Sequence, residues 1–209
     1  MNPGRRCGWQ RRQFSIERSG APLAAERVAV DMAASKNPMG EEFRSILLGT
    51  AGLSVAAAIA AWLTFSRGFP VVGSIRLRVA LVLAVIALLS QSGHFAEELV
   101  TGFPQRFPAL LGLAPWSIRF FVSFNVFWIV VWGFSCWGVM AGRRAALFPL
   151  WFLAIASLAN GVAHPLLSAL TGGYFPGLFT SPLVGVVGFA LVRQLLLVTG
   201  DRVLDPGAA

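Results

Sequence analysis

The chain has 209 residues, of which 56% are hydrophobic and 12% are charged, and its mean hydropathy is +0.70. Soluble domains are roughly 25% charged, so a water-soluble globule of this composition would lack polar surface, and a soluble enzyme is excluded. The formal net charge of +8 comes mostly from arginines in the N-terminal segment and at the ends of apolar segments. This distribution is typical of membrane orientation and headgroup anchoring, and we expect no nucleic-acid partner.

The N-terminal segment, residues 1–43, is basic, contains scattered glycine, proline and serine, and shows no apolar periodicity. This composition predicts a disordered basic tail. Met32 and Met39 are candidate translation starts within it. The first apolar run begins near Ser45, too far along the chain for the apolar part of a cleavable signal peptide, so we expect none.

Five apolar segments follow, each long enough to cross the hydrocarbon core as a helix. They cover residues 45–65, 76–102, 117–140, 146–170 and 177–198. We therefore predict an all-α integral membrane protein, a bundle of about five transmembrane helices with a disordered basic N-terminal tail. The membrane domain is expected over residues 44–200 and a short C-terminal tail over residues 201–209. Residues 107–116 are predicted to form an interfacial or re-entrant stretch.

Lysine and arginine give conflicting indications of orientation. The N-terminal tail favours a cytoplasmic N-terminus, whereas the short loops favour a cytoplasmic C-terminus. Short loops near the spans are the better guide, so we predict a cytoplasmic C-terminus, in a bacterial-type cytoplasmic (inner) membrane with lipids as partners. The small residues of VGVVG at 184–188 allow close helix approach, either within one chain or between copies in a homo-oligomer.

The segment 117–140 is rich in aromatic side chains. We interpret them as a lipid-facing or packing surface rather than a cofactor site. They are Phe120, Phe121, Phe124, Phe127, Trp128, Trp132, Phe134 and Trp137.

Polar side chains that carry chemistry fall in two short clusters inside the membrane region. His94 lies one helical turn before both Glu97 and Glu98, and Asn160 lies one turn before His164, so each cluster shares a helix face. These are the only two histidines in the chain. Each lies 18 residues after the first residue of its apolar segment, about 27 Å along a helix. Because the two segments run in parallel, the histidines are expected at similar depth.

Other polar residues reach a similar depth when counted from the same membrane face. Asn125 lies in the third apolar segment, and Tyr174 and Thr180 lie in and after the turn before the fifth. We therefore predict one polar pocket that opens at one face. Its expected lining is His94, Glu97, Glu98, Asn125, Asn160, His164, Tyr174 and Thr180.

Two histidines and a carboxylate are a ligand set that suits zinc, or iron(II) with open positions. We predict that His94, Glu98 and His164 bind one such ion. Glu97 is either a fourth ligand or the general base. In this interpretation, an enzyme acting on a lipidic or amphipathic substrate has His94, Glu97, Glu98 and His164 as catalytic residues. The residues expected to support the ligands or position the substrate are Asn125, Asn160, Tyr174 and Thr180.

Three other interpretations stay open. Adjacent carboxylates in an apolar pocket cannot both ionise cheaply, so Glu97 and Glu98 with the two histidines would suit a metal-free acid–base isomerase or hydrolase. A non-enzymatic transporter or small-ligand binding protein would use the same groups as a proton relay. Alternatively, the two glutamates reach the membrane surface and pair with Arg106 or Arg119.

The order of these motifs resembles a known family. HFAEE at 94–98, Asn125, NGVAH at 160–164 and YFPGLFT at 174–180 together resemble the HXXEE proteins, which are small multi-pass membrane proteins. The resemblance covers roughly residues 80–198. It implies the membrane-bundle fold and the polar pocket, and it implies no substrate.

The sequence matches a second membrane-protein family, the CAAX-type proteases, only in part. The glutamate-dependent CAAX-type membrane proteases carry the pattern EExxxR, and Glu97 with Glu98 matches its beginning. Position 102 is glycine rather than arginine, however, and the later Asn160 and His164 stand in the reverse order. The sequence therefore does not predict a protease of that type.

Overall fold

The computed structural model describes residues 38–200, and within that range all regular structure beyond single bridges is helical. The helices are α1 Pro38–Gly49, α2 Ala51–Ser66, α3 Ile75–Val100, α4 Phe103–Leu110, α5 Ile118–Met140, α6 Leu147–Thr171 and α7 Ser181–Thr199, with a 3-10 turn at Arg144–Ala146. The predictions made for residues 1–37 and 201–209 lie outside this range. The predicted all-α fold is confirmed.

Four helices, α3, α5, α6 and α7, are long and apolar enough to cross a membrane singly, α6 together with its preceding 3-10 turn. Helices α1 and α2 pass the same test only together, and they are bent by 49° relative to each other. The structure thus has four spans, or five if the bent pair α1–α2 counts as one, in agreement with the predicted number of about five. Gly49 lies at the break, where a Cβ atom would collide with the ring of Trp116.

The beginning of α1 differs from the predicted boundary. The helix starts at Pro38, inside the segment 1–43 that the sequence predicts to be disordered. Proline is well suited to the first helical turn because its missing N–H has no partner there. Glu41 in the same first turn is stabilised by the positive end of the helix dipole.

The predicted interfacial or re-entrant stretch is partly helical. Helix α4 follows Gly102, whose φ of +82° favours glycine, and has Pro104 in its first turn. From there the chain returns to the bundle at Trp116, whose backbone N–H donates to the carbonyl of Pro104. The indole of Trp116 donates to Ser45 of α1 at 3.1 Å. This segment therefore covers the end of the bundle where α1 and α5 begin.

Helices α6 and α7 pack closely through glycines. A Cβ atom added to Gly161 would collide with the backbone of Gly185, and one added to Gly188 would lie 2.6 Å from the backbone nitrogen of Leu158. Small residues let helix backbones approach in this way. The small-residue face of α7 is thus used within one chain, and a homo-oligomer through it stays a prediction.

The opposite end of the bundle is held by arginines. Arg67 donates to the Thr199 hydroxyl at 2.8 Å and to the carbonyl of Leu196 at 2.9 Å. Arg144 donates to the carbonyls of Thr64 and Arg67. Carbonyls at helix C-termini lack partners within their helix, so these side chains join the ends of α2 and α7 to the turn before α6.

Candidate metal centre

Three ligand atoms converge between α3 and α6. The Nε2 atoms of His94 and His164 lie 3.2 Å apart, and Glu98 Oε1 lies 3.6 Å from the first and 3.3 Å from the second. The exposed fractions of His94, Glu98 and His164 are 0%, 6% and 2%. Such a group can hold a metal ion, and the predicted convergence of these three residues is confirmed.

The pattern of α3 explains why His94 and Glu98 face inward. Its buried residues recur three or four positions apart, so they form one stripe along the helix. They are Leu77, Ala80, Ala84, Ala87, Gln91, His94 and Glu98. The alanines allow neighbouring helices to come close, and the polar residues continue the same stripe toward the C-terminal end of α3. Counting residues along the sequence predicted only the depth of His94. The apolar stripe determines the rotation of α3 about its axis, and so which side chains face inward.

The other ring nitrogen of each histidine has a fixed partner. His164 Nδ1 lies 2.6 Å from the carbonyl oxygen of Pro176, and His94 Nδ1 lies 2.7 Å from Thr180 Oγ1. A carbonyl accepts only, so His164 Nδ1 carries the proton. The Thr180 hydroxyl donates its proton to Glu97 at 2.6 Å, so it accepts from His94 Nδ1.

These assignments leave both Nε2 atoms as acceptors when the imidazoles are neutral. Two nitrogen lone pairs and a carboxylate oxygen then face one another at 3.2–3.6 Å. Three acceptors at this separation repel unless a positive charge lies among them. The geometry of the centre therefore requires either a metal ion or an additional proton.

Glu97 is held by the loop between α6 and α7. Its Oε1 accepts from the Tyr174 hydroxyl at 2.7 Å and from the Phe179 N–H at 3.0 Å. Its Oε2 accepts from the N–H of Thr180 at 2.9 Å and from the hydroxyl of the same residue. Four donors match the capacity of an ionised carboxylate. Among the described residues, Glu97 is not part of the converging ligand group; it reaches His94 through Thr180.

The loop presses directly against both imidazoles at Gly177. Its φ is +88°, and a Cβ atom there would lie 2.5 Å from His164 Nδ1 and 2.8 Å from His94 Cε1. Glycine is thus required by the backbone conformation and by the space. Arg106 donates to the carbonyl of Tyr174 at 3.1 Å, which fastens the other side of the loop.

Tyr174 lies in this loop, outside the helices. Burial raises the pKa of its phenol above the ordinary value, and the hydrogen bond to the Glu97 carboxylate raises it further. Ionising the phenol would place a second negative charge beside that carboxylate. The donor that holds Glu97 is therefore stable across the physiological pH range.

An aromatic cavity of about 250 Å³ adjoins the three-ligand group. Glu98 and His164 belong to its lining, so two of the three ligand residues face it. Most of the remaining wall is aromatic or small. The aromatic lining is Phe103, Phe107, Trp116, Phe120, Phe121, Phe124, Trp128, Trp132 and Phe152. This volume is slightly below the range for small-molecule sites, about 300–1,000 Å³.

The cavity changes the interpretation of the aromatic residues on α5. Phe127, Phe134 and Trp137 are exposed on the outer surface, as the sequence suggested. The other members of the set, however, line the cavity: Phe120, Phe121, Phe124, Trp128 and Trp132. Periodicity alone does not separate these two faces, because both are aromatic.

The remaining predicted site residues divide into two groups. Tyr174 and Thr180 contact Glu97, and Thr180 also contacts His94. Asn125 and Asn160 line the cavity, and within residues 38–200 neither hydrogen-bonds to a ligand residue. Asn125 instead donates to the carbonyl of Phe121 in its own helix.

The interpretation that the glutamates pair with arginines is not supported within residues 38–200. The ion-pair partners of Glu98 there are the two histidines, and Arg106 donates to a backbone carbonyl instead. Sequence reasoning missed the roles of Pro176 and Gly177. The YFPG run gave a signal for both, since a proline–glycine pair marks a tight turn whose backbone can approach a ligand closely.

No protein-family model matches the chain, and no curated protein and no solved structure is significantly similar to it. The resemblance to the HXXEE proteins therefore stays a prediction carried by its motifs.

Proposed function

We propose that this protein is a membrane-embedded zinc enzyme that hydrolyses a lipidic or amphipathic substrate. The observation that carries the proposal is the group His94, Glu98 and His164, with ligand atoms 3.2–3.6 Å apart. Ligands bound at about 2.0–2.2 Å in a tetrahedral site are about 3.3–3.6 Å apart. Neighbouring ligands of an octahedral site with the same bonds are about 2.8–3.1 Å apart. The two distances to Glu98, 3.3 and 3.6 Å, fall in the tetrahedral range, and the 3.2 Å between the histidines lies between the two ranges, which supports zinc as the ion in this proposal.

The hydrogen bonds around the histidines support the same conclusion. A metal-binding histidine usually donates its second N–H to a carbonyl or to a carboxylate-linked group, which fixes the ring and its tautomer. His164 donates to the Pro176 carbonyl, and His94 donates to Thr180, whose hydroxyl is in turn bound by Glu97. In this proposal Glu97 is a positioning residue for His94, not the general base.

Three protein ligands with one further position are the pattern of catalytic zinc sites. An ion bound there would supply Lewis acidity and a water that ionises near neutral pH. The chain's own contribution is to hold the ligands, to exclude bulk water by burying them, and to present the substrate. The substrate's polar group would lie beside Glu98 and His164, with its apolar part among the aromatic rings of the cavity.

One observation favours a second candidate. The Nε2–Nε2 separation of 3.2 Å also suits a proton shared between the two imidazoles, with Glu98 as counter-charge. Such a centre would be the metal-free acid–base isomerase or hydrolase, with His94 and His164 exchanging one proton with the substrate. A small-ligand binding or transport role would use the same cavity without turnover.

Metal content of the purified protein tests the proposal. We expect about one zinc per chain in wild type, and strong loss in His94→Ala, Glu98→Ala and His164→Ala. Ser92→Ala is the matched control, because Ser92 lies on the same helix but its hydroxyl is bound to the carbonyl of Leu88. Activity on acyl ester and acyl amide substrates should follow the metal content. A folded wild type that stays metal-free after addition of zinc, iron(II) or manganese would favour the proton-sharing centre.

A further inference from the structure

Helix α1 is held to the rest of the bundle by a few polar contacts. Among residues 39–49 only Ser45 is buried. Its hydroxyl donates to the carbonyl of Ala114 at 2.6 Å and accepts from the indole N–H of Trp116 at 3.1 Å. The carboxylate of Glu42 accepts from the N–H of Ser117 at 2.8 Å. These hydrogen bonds, which we call the latch, all join α1 to the segment between α4 and α5.

The apolar side chains of α1 do not strengthen this attachment. Met39, Phe43, Leu47 and Leu48 are 52–77% exposed, and no residue of α1 belongs to the hydrophobic core of the described chain or packs against it. Within residues 38–200, α1 also shares no extensive contact with another helix. In a bilayer these side chains contact lipid in any case. Moving α1 away from the bundle therefore costs little beyond the hydrogen bonds of the latch.

The aromatic cavity lies between α2 and α5, beside α1. Helix α2 packs against α6, and α5 packs against α3 and α6, but α2 and α5 share no extensive contact in the part of the chain that the structure describes. Leu53 of α2 and Phe124 of α5 both line the cavity, which fills the space between the two helices. Gly52 lines it as well, yet it is exposed, and a Cβ atom there would meet nothing within 4 Å. The cavity therefore reaches the outer surface of the bundle, where the bilayer lies.

Helix α1 crosses this opening at the end near the metal centre. The 49° bend between α1 and α2 directs α1 from α2 toward the beginning of α5, where the latch holds it. Trp116 of the latch also lines the cavity. The centroid of its ring lies 6.1 Å from that of Phe103, which in turn lies 5.5 Å from the imidazole of His164. An opening at α1 would therefore lead to the ligand residues.

The volume of the cavity requires such an opening if the substrate is a lipid. The cavity of about 250 Å³ is smaller than sites for drug-sized molecules, about 300–1,000 Å³, and a membrane lipid is larger than these molecules. Only part of a lipid can lie among the aromatic rings, so the rest has to extend into the bilayer. The gap between α2 and α5 is where it can do so.

We propose that a bilayer lipid enters the cavity sideways, between α2 and α5, and that α1 is a hinged cover over this entrance. The hinge lies at Gly49 and Thr50, between the two helices that are bent relative to each other, and the latch at Ser45 and Glu42 holds the cover closed. Breaking the latch lets α1 move away from Trp116, and the acyl chain then passes between α2 and α5. This inference rests on the proposed function only for the reaction that follows, because the entry of a lipid needs no metal.

The test follows a phosphatidylcholine that carries a photoactivatable diazirine in the middle of one acyl chain. It is incorporated in nanodiscs that hold the full chain without metal, and adducts are located by mass spectrometry after illumination. Phe121 and Phe152 line the cavity and are 4% and 3% exposed, so adducts on them report entry. Phe127 and Phe134 are exposed on the outer surface of α5, so adducts on them are the internal control. The measured quantity is the ratio of cavity adducts to outer-surface adducts.

We expect cavity adducts in wild type and a ratio about tenfold higher in Ser45→Ala, which loses both hydrogen bonds of that hydroxyl. Ser54→Ala is the matched control, since Ser54 is an exposed serine of α2 whose hydroxyl donates to the carbonyl of Thr50 in the same span. It should leave the ratio unchanged.

A reversible cross-link tests the cover independently of Ser45→Ala. Ser45 and Ala114 are replaced by cysteine in a chain whose own Cys7 and Cys136 are replaced by alanine, and a short bis-methanethiosulfonate reagent joins the two new thiols. With α1 fixed in this way, cavity adducts should fall to background while the outer-surface adducts persist. Reduction of the cross-link should restore the cavity adducts.

The entrance and the metal centre fail in different ways. Cavity adducts that are absent from both wild type and Ser45→Ala would refute lipid entry. A ratio that is equal in wild type and Ser45→Ala, or that is unaffected by the cross-link, would refute the role of α1 as a cover. Because the labelling uses metal-free protein, either failure leaves the zinc measurement of the proposed function standing. A chain that admits lipid but binds no zinc would refute the metal centre and support the entrance.

Discussion

The Nε2 atoms of His94 and His164 face each other at 3.2 Å, while the Nδ1 atom of each ring is held by the same loop, at Thr180 and at Pro176. One loop therefore fixes the tautomers of two histidines from different helices. The consequence is a pair of lone pairs that point at a common centre beside Glu98. We therefore expect substitutions in this loop to change metal binding at the centre, although no loop residue is itself a ligand.

Replacing the Thr180 hydroxyl should weaken metal binding without removing a ligand. In Thr180→Val the side-chain shape is kept, but His94 Nδ1 loses its acceptor and Glu97 loses one of its donors. We expect zinc affinity to fall about 10–100-fold, measured by competition with a chromophoric chelator. Thr180→Ser keeps the hydroxyl and should stay near wild type. Equal affinities in wild type and Thr180→Val would contradict the assigned role of Thr180.

Gly177 should tolerate no side chain. Gly177→Ala would introduce a Cβ atom against both imidazoles at a φ of +88°, so we expect loss of bound zinc and a lower unfolding temperature. Gly173→Ala is the control in the same loop, since its Cβ atom would meet nothing within 4 Å and its φ is not positive. The two variants are compared by metal content and thermal unfolding, and similar behaviour of both would refute the packing argument.

Tyr174 offers a direct optical measurement, because it is the only tyrosine in the chain. Its phenol absorbance should titrate above the ordinary pKa of 10.0, and Glu97→Gln should lower the midpoint by removing the carboxylate charge, leaving the part due to burial. Since the folded-state pKa is raised, the phenol's contribution to stability is complete below about pH 10 and is lost as pH rises through the folded-state pKa. A midpoint that is the same in wild type and Glu97→Gln would show that the Tyr174–Glu97 contact does not form.

The glycine contact between α6 and α7 should be essential for stability. Gly185→Ala places a methyl group against the Cα atom of Gly161, and overpacking of this kind costs about 1–3 kcal/mol. Gly52→Ala is the control, because a Cβ atom there meets nothing within 4 Å and alanine favours a helix. Unfolding in mixed micelles should show Gly185→Ala destabilised and Gly52→Ala unchanged or stabilised. Equal stabilities would mean that the helices can separate slightly at no cost.

The fold was largely predictable because long apolar runs in a membrane leave only the helix as a solution. The bend between α1 and α2 was not predictable. It lies where Gly49 approaches Trp116, and these two residues are distant in the sequence. The start of α1 at Pro38 was also missed. Local composition there is polar, and the helix instead depends on contacts such as that of Glu42 with the Ser117 N–H.

The depth of the metal centre and its ligand residues were predictable from the sequence, but the hydrogen-bond partners of those residues were not. Counting residues placed His94 and His164 at one level, and the i,i+4 spacing placed Glu98 beside the first. The separate role of Glu97 could not be predicted from its position next to Glu98. Adjacent helix residues point in different directions, and only the packing of the helices determines which of the two faces the histidines. The Pro176 carbonyl is a backbone group and carries no side-chain signal of its own.

X-ray absorption spectroscopy at the zinc edge, on protein loaded with one equivalent of zinc, is the most direct test of the metal centre. We expect four nitrogen or oxygen ligands at about 2.0–2.1 Å, with the multiple-scattering signature of two imidazoles. A site with sulfur at about 2.3 Å, which would indicate a cysteine ligand, or a spectrum without imidazole, would contradict this metal centre.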